Sequence, residues 1–98
     1  MIRLIILITT ILGLSIGSAN ADPKKIGFIY IGPPGDHGWT YMHDQGRQYM
    51  ESQLGDAVTS TYIENVPENA DAVRAIRKLA ASGHDLIFIS GLTLEAAK

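Results

Sequence analysis

Cysteine is absent from all 98 residues of this chain. The absence excludes disulfide bonds, thiolate-ligated metal ions and a cysteine nucleophile. It also excludes anchoring through a lipid-modified cysteine, so we expect a mature product that is soluble.

An excess of basic residues is lacking as well. Eight Lys and Arg residues stand against ten Asp and Glu, and the formal net charge is −2. The charges are scattered along the chain and form no long run of one sign. Because nucleic acids and anionic membrane surfaces attract basic proteins, neither is predicted as a partner.

A membrane-length apolar run is lacking, but a shorter one lies near the N-terminus. Arg3 is followed by thirteen almost entirely apolar residues, Leu4 to Ile16, and then by the small-x-small sequence Ala19-Asn20-Ala21. A transmembrane helix needs ~20 apolar residues. Residues 1–21 are therefore predicted to be a secretory signal peptide, cleaved between Ala21 and Asp22. A twin-arginine pattern is missing, so we expect general export to the periplasm.

The segment that would remain, residues 22–98, alternates predicted strands and helices. Lys25–Ile31, Val58–Ile63 and Asp85–Ser90 are short runs rich in β-branched and aromatic residues, which favour buried strands. Between these runs, apolar residues recur at helical spacing. They are Trp39, Met42, Gly46, Met50 and Leu54 before Gly55, and then Val73, Ile76, Leu79 and Ala80 before Gly83.

This order predicts an α/β fold, a parallel βαβαβ unit with right-handed crossovers. With the first strand central, the other two lie on either side of it and the helices cover opposite faces. Three strands bury little core for the 77 residues from 22 to 98, and they leave sheet edges unpaired. We therefore expect residues 22–98 to form part of a larger, truncated lobe, in which residues 91–98 could begin a third helix.

The loop sequence IGPPGDHGWTY, residues 31–41, has features that bear on a cofactor site and on a metal site. Its glycines are spaced G-x-x-G-x-x-G, Pro33 and Pro34 lack amide hydrogens, and Asp36 would repel a phosphate, so a dinucleotide turn is disfavoured. His37 and His43 are six residues apart, on opposite sides of a helix, which disfavours a metal site. His43 and Asp44 are more simply a solvated helix face. Neither a cofactor nor a metal is expected.

A ligand-pocket wall is the better interpretation of the same loop. Ligands of open parallel sheets bind beyond the carboxyl ends of the strands, here beside the loop and beside Ser90 and Gly91. Asp36 and His37 can make hydrogen bonds, and Trp39 offers a flat face for stacking. Structural roles remain open alternatives: Asp36 as a helix cap, His37 as a solvated turn residue, Trp39 as a core residue and Ser90 as the end of a strand.

Two stretches resemble a known family. GFIYIGPPGDHGWTYMHDQGRQ and TYIENVPENADAVRAIRKLAASGHDLIF, which together extend over most of Lys25 to Ile89, are similar to the amino-terminal segment of the basic membrane protein (BMP) family. Its members are substrate-binding proteins of ABC transporters and are close to purine-nucleoside receptors. The resemblance implies a Rossmann-like, type I periplasmic-binding fold, in which two α/β lobes enclose the ligand. Residues 22–98 would be the first part of the N-terminal lobe.

The resemblance also implies a function and a site. The family's ligand-contacting acid and aromatic residue fall on Asp36 and Trp39, with Ser90 and Gly91 nearby, although GLTLEAAK lacks the aromatic residue common after the third strand. The implied protein is a non-enzymatic, monomeric receptor that delivers a purine base or nucleoside to a membrane permease. The alternatives are an exported α/β hydrolase acting on nucleosides, and a truncated product without a function of its own.

We predict that export removes residues 1–21. Mass spectrometry of the exported protein should find an N-terminus at Asp22, because small residues at Ala19 and Ala21 define the cleavage site. A variant with Ala19→Arg and Ala21→Arg should accumulate in the longer form. An exported wild-type protein that still began at Met1 would contradict this prediction.

Overall fold

The computed structural model describes residues 22–91, in which strands and helices alternate in the predicted order. The regular elements are β1 (Lys24–Ile29), α1 (Trp39–Leu54), β2 (Val58–Ile63), α2 (Ala70–Ala81) and β3 (Leu86–Ile89). Short 3-10 turns lie at Pro34–Asp36 and Gly55–Ala57. The predicted signal peptide and, apart from Gly91, the predicted third helix lie outside the described residues.

The three strands form one parallel sheet in the order β2-β1-β3. In the register of the sheet, Phe28 of β1 lies between Tyr62 of β2 and Phe88 of β3. The predicted α/β class and the central position of the first strand are therefore confirmed. Two strands are shorter than predicted, since β1 ends at Ile29 and β3 at Ile89.

Alternate side chains of β1 pack on opposite faces of the sheet. Ile26, Phe28 and Tyr30 form one buried cluster, against which Met50 of α1 packs. Ile29 belongs to a second cluster on the α2 side, together with Val66, Ala72, Ala75 and Leu79. The two helices thus cover opposite faces, and β1 is buried from both sides as the sequence predicts.

The face that α1 turns toward the sheet is not the predicted one. Trp39, Met42 and Leu54 are exposed, Met42 to 65%, whereas Thr40 and Asp44 are buried. Met50 of the predicted stripe packs against the sheet, but the stripe is wrong as the packing face at Trp39, Met42 and Leu54. The reason is a set of buried hydrogen bonds around Asp44, described below, which hold a polar face of α1 against the sheet.

Two smaller predictions also need correction. In α2 the buried residues are Ala72, Ala75 and Leu79, while Ala80 of the predicted stripe is exposed. In β3, which the sequence predicts to be a buried strand, Leu86, Phe88 and Ile89 remain exposed within residues 22–91. Neither helix in the described part of the chain is both long and apolar enough to span a membrane.

Gly27 lets α2 approach the centre of the sheet closely. A Cβ atom built on Gly27 would lie 2.8 Å from Leu79 Cδ1 and 3.2 Å from His84 Cδ2. Gly46, in the middle of α1, is the opposite case, because nothing lies within 4 Å of the position that a Cβ atom would take there. These two glycines provide a matched test of the packing.

We predict that Gly27→Ala lowers the free energy of unfolding of the full-length protein by about 1–3 kcal/mol, because the methyl group overpacks the α2 interface. Gly46→Ala should be neutral or raise it by up to ~1 kcal/mol, since alanine favours a helix. Urea titration followed by circular dichroism measures both changes. An unchanged stability in Gly27→Ala would contradict the close packing.

Candidate ligand-binding site

The predicted site residues lie at the carboxyl-terminal edge of the sheet. The loop of residues 32–38 leaves the end of β1 and leads into α1, while Ser90 and Gly91 follow the end of β3. The two strands are neighbours, so this edge lies where the strand order reverses, the usual position of a ligand crevice in open parallel sheets. The topology therefore brings the two predicted segments side by side.

Asp36 caps the first helix. Its Oδ1 accepts hydrogen bonds from the backbone N–H groups of Gly38, at 2.8 Å, and Tyr41, at 3.0 Å. These bonds, led by that from Gly38, lower the pKa of the carboxyl below its ordinary value. The carboxylate is nevertheless exposed. It is thus an ionised acceptor that holds the helix start and is also accessible from solvent.

Trp39 is held across the edge of the sheet. Its indole Nε1 donates a hydrogen bond of 2.7 Å to the backbone carbonyl of Ser90, and its ring centroid lies 5.0 Å from that of His43. The residue is 48% exposed, so the alternative of a core residue is wrong. Because the N–H group is already used, the exposed feature that Trp39 offers a ligand is its ring.

Ser90 is buried, and its side chain supports the strand ends. The hydroxyl donates to the carbonyl oxygen of Ile29 at 3.0 Å, while the Ser90 carbonyl accepts from Trp39. Gly91, the next residue, lies against the loop before α2, since a Cβ there would be 3.5 Å from the side chain of Glu68. Ser90 therefore acts on the site by fixing Trp39.

His37 occupies the tip of the loop. Its backbone has a φ of 54°, in the left-handed region, and its side chain is exposed. The imidazole lies against the ring of Tyr41, with 5.0 Å between the ring centroids. This geometry is typical of a turn residue and leaves the imidazole at the surface of the candidate site.

A buried polar cluster lies behind the site, and sequence reasoning missed it. The hydroxyl of Tyr30 donates to Asp44 Oδ1 at 2.9 Å, and Arg47 Nε donates to the same oxygen at 2.7 Å. Gln48 donates to the other oxygen, Oδ2, at 2.8 Å. Asp44 is only 6% exposed, so the prediction of a solvated His43-Asp44 face is wrong for this residue.

The cluster extends from α1 to β2 through Arg47. Its guanidinium donates to Glu51 at 3.3 Å and to the Ser60 hydroxyl at 3.2 Å, and it lies 4.9 Å from the ring centroid of Tyr62. The signal in the sequence was the spacing of Thr40, Asp44, Arg47 and Glu51, which is as helical as the apolar stripe. The partners on β1 and β2 become visible only in the folded chain.

The same arrangement bears on the metal-site hypothesis. His43 lies beside Trp39, whereas Asp44 is bonded to Tyr30 and Arg47. Within residues 22–91, the structure contains no group of three or more side chains that could bind a metal ion together.

A cavity of about 120 Å³ adjoins the site, and it is lined mainly by apolar and aromatic residues: Phe28, Tyr30, His43, Phe88, Ile89 and Ser90.

Comparison with known proteins identifies relatives of the chain. A family model, Bmp, described as ABC transporter substrate-binding protein PnrA-like, matches residues 23–97. A purine-binding protein of Brucella abortus is 54% identical over 83 residues, which cover 83% of this chain and 24% of the relative. A candidate ABC transporter glucose-binding protein of Haloferax volcanii is 32% identical over 72 residues, 74% of this chain and 18% of the relative. The chain thus spans about a quarter or less of the length of these curated relatives.

Asp44 should make stability depend on acid pH. Burial raises its pKa, but hydrogen bonds from Arg47, Gln48 and Tyr30 outweigh burial and bring the pKa below its ordinary value. The carboxyl group of an Asp in the unfolded chain has a pKa of ~3.9. The carboxylate therefore stabilises the fold above about pH 4, and this contribution is lost as the pH falls through the lower folded-state pKa.

We predict that Asp44→Asn lowers the free energy of unfolding of the full-length protein by about 2 kcal/mol at pH 7, because Arg47 loses its charged partner. The variant should also lose part of the decline in stability below about pH 4. Urea titrations from pH 2 to 7 measure both effects. Asp56→Asn, at an exposed aspartate, is the control, and equal behaviour of the two variants would contradict the role of Asp44.

Proposed function

We propose that this chain forms part of the binding lobe of an extracytoplasmic receptor for a purine base or nucleoside. The chain belongs to the Bmp family of PnrA-like ABC transporter substrate-binding proteins. The receptor encloses the ligand between two lobes, and ligand binding stabilises the closed form. The closed form then delivers the ligand to the permease of an ABC importer. The protein reaches the periplasm through the signal peptide of residues 1–21.

The arrangement of Trp39 carries this proposal. A half-exposed indole ring is fixed by Ser90 at the ligand-binding edge of a parallel sheet, close in sequence to an exposed, ionised carboxylate at Asp36. A stacked base gains ~1–3 kcal/mol from such an aromatic surface. A carboxylate accepts hydrogen bonds only, so it favours ligands with N–H donors, such as the ring and amino N–H groups of a purine.

The remaining predicted residues have supporting parts in this proposal. Ser90 and Gly91 form the neighbouring wall at the end of β3, and His37 provides a hydrogen-bonding group at the mouth of the site. The match to the purine-binding protein of Brucella abortus favours the same ligand class, since it covers 83% of this chain.

A sugar is the second candidate ligand. The Haloferax volcanii relative is described as a candidate glucose-binding protein, and it is 32% identical over 72 residues. An aromatic face beside a carboxylate also suits a sugar, whose ring stacks and whose hydroxyl groups donate hydrogen bonds. We favour the purine because the identity to the purine-binding relative is higher.

We predict that Trp39→Leu weakens purine binding by the full-length protein about 10- to 100-fold, because the stacking surface is lost. Trp39→Phe should weaken binding less, since phenylalanine keeps an aromatic ring, although it loses the hydrogen bond to Ser90. Isothermal titration calorimetry with adenine, adenosine, guanosine and glucose measures the affinities. Met42→Leu, at an exposed position on α1, should bind as the wild type does.

We predict that Asp36→Asn weakens purine binding about 10-fold, because a hydrogen bond to a charged acceptor is lost. Asparagine also caps helices well, so this variant should preserve the start of α1. Circular dichroism checks the fold and calorimetry the affinity. Unchanged affinity in both Trp39→Leu and Asp36→Asn would overturn the proposed site.

Hydrolysis would reveal an enzyme. Incubation of adenosine or guanosine with the full-length protein, followed by chromatography, should release no free base. Release that scaled with protein concentration would overturn the receptor proposal in favour of an exported hydrolase. Tight binding of glucose without binding of a purine would show that the ligand is a sugar and not a purine.

A further inference from the structure

The orientation of the Trp39 ring requires more than its hydrogen bond to Ser90. That bond, 2.7 Å long, fixes one atom of the indole, the nitrogen Nε1. A single hydrogen bond leaves the ring free to tilt about that atom. A stacked ligand is bound more tightly when the plane of the ring is fixed beforehand, because less conformational freedom is then lost on binding. A second contact is therefore needed to fix the plane of the indole.

The imidazole of His43 supplies a second contact. Its ring centroid lies 5.0 Å from that of the indole, and the two ring planes are inclined at 54°. Aromatic pairs favour centroid separations of ~4.5–7 Å and tilted or offset rings, so this geometry is attractive. His43 comes four positions after Trp39 in α1, and residues at this spacing lie on the same face of a helix. The contact therefore depends on α1 itself and on no residue outside the described part of the chain.

His43 has no other partner among residues 22–91. Its side chain is exposed, whereas the next residue, Asp44, is buried in the polar cluster. Within the same residues the imidazole forms no hydrogen bond and belongs to no group of side chains that could bind a metal ion. An exposed ring buries little apolar surface and so adds little to the stability of the fold. The contact with Trp39 is thus the feature through which His43 can act on the site.

His43 and Ser90 reach the indole from two different elements. Both residues line the cavity of about 120 Å³ that adjoins the site, His43 from α1 and Ser90 from the end of β3. Trp39 contacts the two of them, one through a hydrogen bond and the other through a ring contact. The first contact fixes the position of the indole nitrogen, and the second restricts the tilt of the ring.

We propose that His43 is a positioning residue for Trp39, which holds the indole in the orientation that stacks on the ligand. This inference rests on the proposed function as a receptor for a stacked ligand. It adds a residue that raises the affinity through Trp39 and does not itself contact the ligand.

The first test measures the purine affinity of the full-length protein by calorimetry. His43→Ala should weaken binding about three- to tenfold, the change that corresponds to the loss of one tilted aromatic pair. His43→Phe keeps a ring at this position and should restore most of the affinity. Alanine favours a helix, so His43→Ala should fold as the wild type does. Met42→Ala, at the neighbouring exposed position of α1, is the matched control and should bind as the wild type does.

A double-mutant cycle separates positioning from direct contact with the ligand. In a protein that carries Trp39→Leu, His43→Ala should cause no further loss of affinity, because no indole remains to be positioned. A further loss as large as that in the wild-type background would overturn the inference. Equal losses in His43→Ala and His43→Phe would also overturn it, since they would indicate a hydrogen bond from the imidazole to the ligand.

Near-ultraviolet circular dichroism tests the contact without a ligand. The spectrum of the wild type minus that of Trp39→Leu gives the signal of the ordered indole, and the same subtraction in the His43→Ala background gives the signal without the imidazole. His43→Ala should reduce the signal, and an unchanged signal would overturn the inference whichever ligand the protein binds.

The variants also distinguish this inference from the proposed function. If Trp39→Leu weakens purine binding and His43→Ala does not, His43 has no positioning role and the proposed function stands. If neither variant weakens purine binding, both the proposed site and the role of His43 are overturned.

Discussion

The hydrogen bond from Tyr30 to Asp44 joins the central strand to the first helix inside the protein, and the orientation of α1 depends on it. A buried carboxylate is costly unless it is paired, and Asp44 is paired with Tyr30, Arg47 and Gln48. Of these partners only Tyr30 lies outside α1, and Arg47 in turn donates to Ser60 of β2, so these two hydroxyl groups turn the polar face of the helix toward the sheet. Burial and the bond to Asp44 also raise the pKa of the Tyr30 hydroxyl above its ordinary value.

The candidate site is a consequence of this orientation. Because Thr40 and Asp44 face inward, Trp39 at the start of the same helix lies at the edge of the sheet, half exposed. Asp36 then fixes the beginning of the helix, and the Ser90 carbonyl fixes the indole ring. The residues proposed to contact the ligand therefore also stabilise the fold, so a structural role and the proposed binding role are compatible at Asp36. The polar cluster and Trp39 of the candidate site therefore lie on different faces of α1.

The order and type of the elements could be predicted from the sequence, because they depend on local patterns. β-Branched runs produced the three strands, and glycines marked the ends of both helices. The packing face of α1 could not be predicted in this way. Two stripes, Trp39 to Leu54 and Thr40 to Glu51, have equally good helical spacing, and hydrophobicity alone favours the first. Only the hydroxyl groups of Tyr30, directly after β1, and of Ser60, on β2, decide for the polar stripe.

The sequence by itself determined the α/β order, the parallel sheet, the family resemblance and the loop that carries Asp36 and Trp39. These properties follow from residues that are close together in the chain. The tertiary structure alone decided that Asp44 is buried, that Ser90 holds Trp39 from 51 positions away, and that residues of α1, β1 and β3 line one cavity. The physical reason is that hydrogen bonds and cavities depend on groups brought together by the crossovers of the sheet, and their spacing in the sequence does not reveal which of them will meet.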